Sequence, residues 1–149
     1  MAEAGTAIRV RAAPGARLPC YATDGASGFD LRAHLNAPVT VEPGGRAAIP
    51  TGLAFEIPAG LEIQVRPRSG LARRSGLTVL NAPGTIDADF RGAVEVMLVN
   101  LGAEPVEIRP GDRVAQGVVA PVVRARLEAA EALGATSRGA GGFGSTGVA

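Results

Sequence analysis

The residues best suited to chemistry lie in short stretches that combine charged or hydroxyl side chains with glycine. In PRSGLA, at positions 67–72, Arg68 and Ser69 come directly before Gly70. Glycine lets backbone N–H groups approach a ligand, and arginine with a hydroxyl supplies charge-assisted donors for phosphate. The same residue types also form ordinary turns. This stretch alone therefore leaves a phosphate site and a plain turn both open.

A second stretch, NAPGTIDADFRG at positions 81–92, contains two aspartates and joins two predicted strands, so it predicts a β-hairpin. On an extended strand Asp87 and Asp89 would point to the same side, whereas in a turn they need not. A carboxylate on a rigid hairpin can serve as a general base or can simply hydrogen-bond the turn. The spacing leaves both roles possible.

Three further stretches carry polar residues among glycines: ASGFDLRA at 26–33, PGDRVAQ at 110–116, and RGAGGFGSTG at 138–147. The last of these has little to bury and is typical of a flexible linker. Its Arg138, Phe143, Ser145 and Thr146 suit another role as well, because a ring can stack on a base while arginine and hydroxyls hold phosphate. An arm that closes over a nucleotide would need both.

The elements that must position these stretches are predicted to be short β-strands. Alternation of apolar and polar residues in EIQVR (62–66) and VEVMLVN (94–100) is typical of half-buried strands. Gly and Pro turns separate nine apolar-rich runs: 7–12, 29–35, 39–43, 46–57, 61–67, 77–81, 93–101, 106–112 and 113–123. The pattern predicts an all-β sandwich or barrel. We predict one domain over 1–133, followed by a mobile glycine-rich arm over 134–149.

Composition narrows the function classes further. The chain has 149 residues, of which 46% are hydrophobic, enough for one folded core. A formal net charge of +1 argues against a broad nucleic-acid surface. Cys20 is the only cysteine, which excludes an intrachain disulfide. The sequence contains no run of about 18 apolar residues, the length that would predict a membrane span. We expect a soluble cytoplasmic protein that binds neither membrane nor nucleic acid.

Taken together, the five stretches resemble the five ordered motifs of the trimeric dUTP pyrophosphatases, or dUTPases. The resemblance extends from about Leu18 to Gly147. It implies a distorted jelly-roll or β-barrel fold with a flexible C-terminal arm, and a homotrimer whose active sites are shared between subunits. It also implies Mg²⁺-dependent hydrolysis of dUTP to dUMP and pyrophosphate, which lowers dUTP and supplies dUMP for thymidylate synthesis.

The resemblance also assigns roles to residues. Asp87 would be the general base that activates water for in-line attack on the α-phosphorus. Mg²⁺ would be held mainly by the triphosphate and waters, and Asp30 would contact the ion only through one of those waters. The phosphates would be bound by residues of the stretches 67–72 and 110–116, namely Arg68, Ser69, Gly70 and Gln116.

The remaining roles concern the nucleoside and the arm. Phe90 would pack on the deoxyribose and exclude a 2′-hydroxyl. Uracil would be read by the hairpin and the strand after it, through Asn81, Thr85, Ile86 and Glu95. In the arm, Phe143 would stack on uracil while the γ-phosphate would be bound by Arg138, Ser145 and Thr146.

The sequence departs from the commonest family pattern at four positions. Phe29 and Phe90 stand where tyrosine is usual, Ser27 replaces alanine, and Gly117 replaces a larger apolar residue. None of these changes removes a group that the chemistry needs. The resemblance also favours a strand or extended segment over 124–133, although EAAEAL (128–133) has a helix-like composition.

Two alternatives stay open from the sequence. One is a dCTP deaminase, or a bifunctional enzyme of that group, which would release ammonia from a cytosine base. The other is a nucleotide-binding or regulatory protein that keeps the fold but has lost catalysis. NAPGTID and the complete glycine-rich motif favour the pyrophosphatase over the first, and Asp87 favours it over the second.

Overall fold

The computed structural model describes residues 5–147, in which the regular elements are eleven β-strands and one short helix. Residues 1–4 of the predicted domain and residues 148–149 of the predicted arm lie outside the described residues. The helix α1 is Ser69–Ser75. The strands are β1 Arg9–Ala12, β2 Phe29–Arg32, β3 Val39–Val41, β4 Arg46–Pro50, β5 Leu53–Glu56, β6 Leu61–Arg66, β7 Leu77–Val79, β8 Gly84–Ile86, β9 Glu95–Asn100, β10 Val106–Ile108 and β11 Arg113–Pro121.

The strands form four antiparallel sheets that build a jelly-roll fold. The largest has the order β2-β11-β6-β8, the next has the order β4-β9-β7, and two strand pairs, β1-β5 and β10-β3, complete the set. The expected all-β architecture is confirmed. The barrel part of that expectation is not met, because each sheet within residues 5–147 has two different end strands and none closes on itself.

Period-two alternation explains how these strands make one core. In β9, Val96, Leu98 and Asn100 are buried, Glu95 and Met97 are exposed, and Val99 is half-buried. Strands of all four sheets contribute buried side chains to a single hydrophobic cluster, among them Leu31, Val41, Leu53, Ile63, Leu98 and Ile108. Burying side chains of this size stabilises the fold by about 1.5–3 kcal/mol each.

The stretch PRSGLA (67–72) contributes to a helix rather than to a plain turn. The helix α1 begins after Arg68 and ends at Ser75, and the N–H of the following Gly76 donates to the carbonyl of Ala72 at 3.0 Å. Gly76 has φ 70, a left-handed conformation that glycine adopts without steric cost. With seven residues, α1 is far shorter than the roughly 20 that a membrane-spanning helix needs.

The segment 124–133 forms neither a helix nor a strand. All of its residues are exposed, including the large apolar side chains of Leu127 and Leu133. A short helix in water depends on packing an apolar face, and here no such face is covered. The helix-like composition is therefore not realised. Of the two forms that the family resemblance favoured, a strand or an extended segment, no strand is present over 124–133.

Candidate active site

One cavity of about 300 Å³ brings together most of the residues that the sequence assigned to the nucleoside. Its volume lies at the lower end of the range for small-molecule sites. The lining residues are Val65, Asn81, Gly84, Thr85, Ile86, Asp87, Phe90, Ala93, Val94, Glu95 and Met97. Five predicted substrate-binding residues thus line the same cavity as the candidate base Asp87.

The floor of the cavity is set by the close pairing of β8 with β6. Gly84 lies opposite Val65, and a methyl group at position 84 would lie 3.1 Å from Val65 Cβ and 3.3 Å from Asn81 Nδ2. Glycine therefore lets the two strands and the Asn81 amide approach each other. Thr85 is exposed between buried neighbours, as the alternation of a strand requires. The peptide bond between Ala82 and Pro83, just before β8, is cis.

A tight turn after β8 carries the candidate base. The Phe90 N–H donates to the Asp87 carbonyl at 3.1 Å, and Arg91 Nη1 donates to the carbonyls of Ala88 at 2.7 Å and Phe90 at 3.1 Å. The carboxylate of Asp87 is exposed and makes no hydrogen bond or ion pair within residues 5–147. Its oxygens are therefore free to accept protons from water. No sequence pattern predicted these two hydrogen bonds of Arg91.

The opposite rim is fixed where β9 begins. Thr51 Oγ1 donates to the Val94 carbonyl at 2.7 Å, the Thr51 N–H donates to the same oxygen at 3.1 Å, and the Val94 N–H donates to the Leu53 carbonyl at 2.8 Å. Thr51 and Val94 are both buried. These bonds hold Val94, and Glu95 beside it, at the cavity wall. No motif or spacing in the sequence indicates this role of Thr51.

The phosphate-assigned residues meet at a different place, where β2, β6 and β11 adjoin. Asp30 lies opposite Gln116 in the β2–β11 register. Asp30 Oδ1 lies 3.5 Å from Arg68 Nε and its Oδ2 lies 3.4 Å from Arg113 Nη1. The Asp30 side chain is only 16% exposed. The stretches 26–33, 67–72 and 110–116 are therefore joined through the Asp30 carboxylate, which two guanidinium groups share.

Gln116 is oriented by two further contacts. Its Nε2 donates to the Pro67 carbonyl at 3.0 Å, next to the start of α1. A methyl group at position 28 would lie 2.6 Å from Gln116 Oε1, so glycine is required for this side chain to lie where it does. Ser69 and Gly70 are exposed in the first turn of α1, where N–H groups have no intrahelical partner and can bind an anion.

Within one chain, the phosphate-assigned residues and the described arm do not line this cavity, although Gln116 shares a neighbouring cavity of about 480 Å³ with Ala82 and Pro83. None of Arg68, Ser69, Gly70 and Gln116 lines the cavity that contains Asn81 and Phe90. The predicted arm residues Arg138, Phe143, Ser145 and Thr146 are exposed. Hydrogen bonds in the described part of the arm are local, such as that from Arg138 Nε to the Gly141 carbonyl at 2.8 Å.

No protein-only metal centre is formed by residues 5–147, in which no three His, Cys, Asp or Glu side chains cluster suitably. Asp30, the predicted partner of a metal-bound water, has each carboxylate oxygen beside a guanidinium group. Its arrangement suits contact through water better than direct coordination. A metal ion at this site would need most of its oxygen ligands from a bound molecule and from water.

Comparison with known proteins identifies the family of this chain. The dUTPase family model matches residues 15–147. A deoxyuridine 5'-triphosphate nucleotidohydrolase of Bdellovibrio bacteriovorus is 62% identical over 132 residues, 89% of each chain. One from Caulobacter vibrioides is 57% identical over 150 residues, 97% of each chain. A Staphylococcus bacteriophage 80alpha dUTPase solved with dUPNHPP superposes with a TM-score of 0.83 at 26% identity, covering 97% of this chain and 100% of the other. The chain belongs to the dUTPase family.

Proposed function

We propose that this dUTPase converts dUTP to dUMP and pyrophosphate by in-line attack of a water molecule on the α-phosphorus, with Asp87 as the general base. The observation that carries the proposal is the cavity in which the free carboxylate of Asp87 adjoins Asn81, Thr85 and Phe90. In the cytoplasm the reaction would lower dUTP and supply dUMP for thymidylate synthesis.

The chemical step needs one proton acceptor beside the attacking water. The new bond forms between the water oxygen and the α-phosphorus, and the bond to the pyrophosphate oxygen breaks. The proton passes to the Asp87 carboxylate, which is exposed and has no partner among the described residues. A positioned base of this kind contributes about 10²–10⁴-fold to a rate.

Selection for uracil follows from the place of β8 in its sheet. This strand is the end strand of the order β2-β11-β6-β8, so one edge of Gly84–Ile86 is not paired within that sheet. Uracil presents a carbonyl acceptor beside a ring N–H donor, and cytosine presents the reverse. Fixed backbone groups of Thr85 and Ile86, with the Asn81 amide, can match one pattern only. Each buried unpaired group costs about 1–3 kcal/mol.

Selection for the sugar falls to Phe90, whose ring lines the same cavity. An apolar ring against the sugar leaves a ribose 2′-hydroxyl without a hydrogen-bond partner. Glu95, on the rim at the start of β9, would add a backbone contact to the nucleotide. These roles together favour dUTP over UTP.

The triphosphate would be bound by the residues around Asp30. Arg68, with the hydroxyl of Ser69 and the N–H groups of Ser69 and Gly70, presents donors to phosphate oxygens. Gln116 adds its amide. When bound across the triphosphate, Mg²⁺ supplies positive charge that offsets the charge developing on the phosphate oxygens. Asp30 would contact a water of that ion, which suits a cation that keeps much of its hydration.

A homotrimer with shared active sites would unite the separated parts. One subunit would supply the cavity, another the residues around Arg68, and an arm would close the site through Phe143, Arg138, Ser145 and Thr146. The exposed segment before the arm supports this, because Val123 and Leu127 are each 93% exposed and Leu133 is 90% exposed. Such side chains gain most from burial against another subunit.

The decisive experiment is a hydrolysis assay with Mg²⁺ and four substrates: dUTP, dTTP, dCTP and UTP. We expect rapid release of pyrophosphate from dUTP and little from the others. Ammonia released from dCTP would instead support a deaminase. Binding of dUTP without release of pyrophosphate would identify a nucleotide-binding protein that has lost catalysis.

A further inference from the structure

The ring of Phe90 lies against the backbone of Gly92, two residues further along the same turn. A methyl group at position 92 would lie 2.6 Å from Phe90 Cζ, 2.9 Å from Cε2 and 3.4 Å from Cε1. Distances below 3.0 Å do not occur between such carbon atoms without a shift. The outer end of the ring therefore occupies space that any side chain at position 92 would need.

The ring is the part of this contact that can move. Phe90 is 45% exposed, so few neighbours hold its side chain. Its backbone is held more firmly, because the Phe90 N–H donates to Asp87 and its carbonyl accepts from Arg91. Gly92 does not have a left-handed φ, so alanine meets no backbone strain there. A methyl group at position 92 would thus displace the ring and leave the chain path unchanged.

We propose that Gly92 is a positioning residue for sugar discrimination, because its missing side chain lets the Phe90 ring lie in the orientation that faces the deoxyribose. This inference rests on the proposed function, in which Phe90 excludes the 2′-hydroxyl. Gly92 itself does not line the cavity that contains the candidate base, and the three atoms nearest to a methyl group at position 92 all belong to the Phe90 ring. Its effect on catalysis should pass through Phe90 alone.

The test is a double-mutant cycle with the variants Gly92→Ala, Phe90→Ala and the pair, each assayed with dUTP and UTP. We expect Gly92→Ala to lower the ratio of kcat/KM for dUTP to that for UTP by about tenfold, which is within the range that small changes of fit produce. In the Phe90→Ala background the same substitution should leave the ratio unchanged. The melting temperature of Gly92→Ala should stay close to that of the parent chain.

Gly25→Ala is the matched control, because a methyl group at position 25 meets no atom within 4 Å. It should leave both the ratio and the stability unchanged. The affinities of dUMP and UMP, measured by calorimetry, provide a second readout that does not depend on turnover.

Two results would overturn this inference and leave the proposed function standing. One is an unchanged ratio of kcat/KM for dUTP to that for UTP in Gly92→Ala. The other is a loss of that ratio that is equal in the presence and absence of the Phe90 ring. A parent chain that hydrolyses dUTP but shows no preference over UTP would contradict the role of Phe90 in the proposed function, and the inference with it. A parent chain without dUTP hydrolysis would refute the proposed function as a whole.

Discussion

At the scale of single residues, the turn after β8 separates two aspartates that look equivalent in the sequence. The strand ends at Ile86, so the alternation of an extended strand does not apply to Asp87 and Asp89. Both residues border a cavity of about 620 Å³, but only Asp87 also lines the cavity that contains Asn81 and Phe90. The different surroundings support a catalytic role for the first carboxylate only.

We expect Asp87→Asn to keep dUTP binding and to lose turnover. Asparagine preserves the shape of the side chain but cannot accept the proton from water, so kcat should fall by about 10²–10⁴-fold. Steady-state kinetics and the Kd of a non-hydrolysable dUTP analogue measure the two effects. Asp89→Asn is the matched control and should retain most activity. Turnover close to that of the parent in Asp87→Asn would remove Asp87 from the mechanism.

At the scale of elements, strands with clear alternation were predicted well, and two short elements were missed. All nine apolar-rich runs contain strands, and the run 46–57 divides into β4 and β5. The strand β8 has only three residues and lies among Gly and Pro, where local sequence indicates a turn. The helix α1 includes Gly70 and two serines, and it is held by Leu71 packed against the core. Tertiary contact overrides weak local propensity at both places.

Thr51 links two elements at the cavity, and its loss should be measurable as stability. Thr51→Val removes the hydroxyl that donates to the Val94 carbonyl and accepts from the Leu53 N–H, which lies 3.2 Å from it. We expect the free energy of unfolding to fall by about 1–3 kcal/mol, as measured in urea at fixed protein concentration.

The control for this change is Thr40→Val, which makes the same substitution at an exposed position of β3. It should alter the free energy of unfolding by about 0.5 kcal/mol or less. Equal effects of the two substitutions would show that the Thr51 hydrogen bonds do not stabilise the start of β9.

At the scale of the whole molecule, the residues of the proposed active site do not all line one cavity of a single chain. The cavity belongs to β8, β9 and the turn between them, whereas Arg68 and Gln116 lie around Asp30. The arm makes only local hydrogen bonds among its described residues. Under the proposed function, a complete site would require assembly with other copies and closure of the arm.

Light scattering should give a mass of about 45 kDa, corresponding to three chains of 15.0 kDa each. Burial of the exposed side chains of Val123, Leu127 and Leu133 is the expected driving force. A mass near 15 kDa at micromolar concentration, for protein that still hydrolyses dUTP, would contradict the shared active site.

Deleting residues 138–149 should abolish most turnover and leave the trimer folded. The described arm gives no hydrogen bond to the body of the protein, so its removal does not expose unpaired backbone groups there. Activity, circular dichroism and mass separate a loss of closure from a loss of folding.

Phe143→Ala should weaken dUTP binding with the arm retained. Full activity in both variants would show that the arm is only a tail.

The sequence by itself determined the fold class, the family and the identities of the candidate site residues, because alternation and five ordered motifs are local properties that survive without coordinates. Only the tertiary structure decided which of those residues meet. Strand pairing over long separations brings Asp30 to Gln116 and Val65 to Gly84, and no local pattern encodes it. Contacts between a side chain and the backbone likewise cannot be predicted from the sequence. Examples are the hydrogen bond from Arg91 to the Ala88 carbonyl and the contact of the Phe90 ring with Gly92.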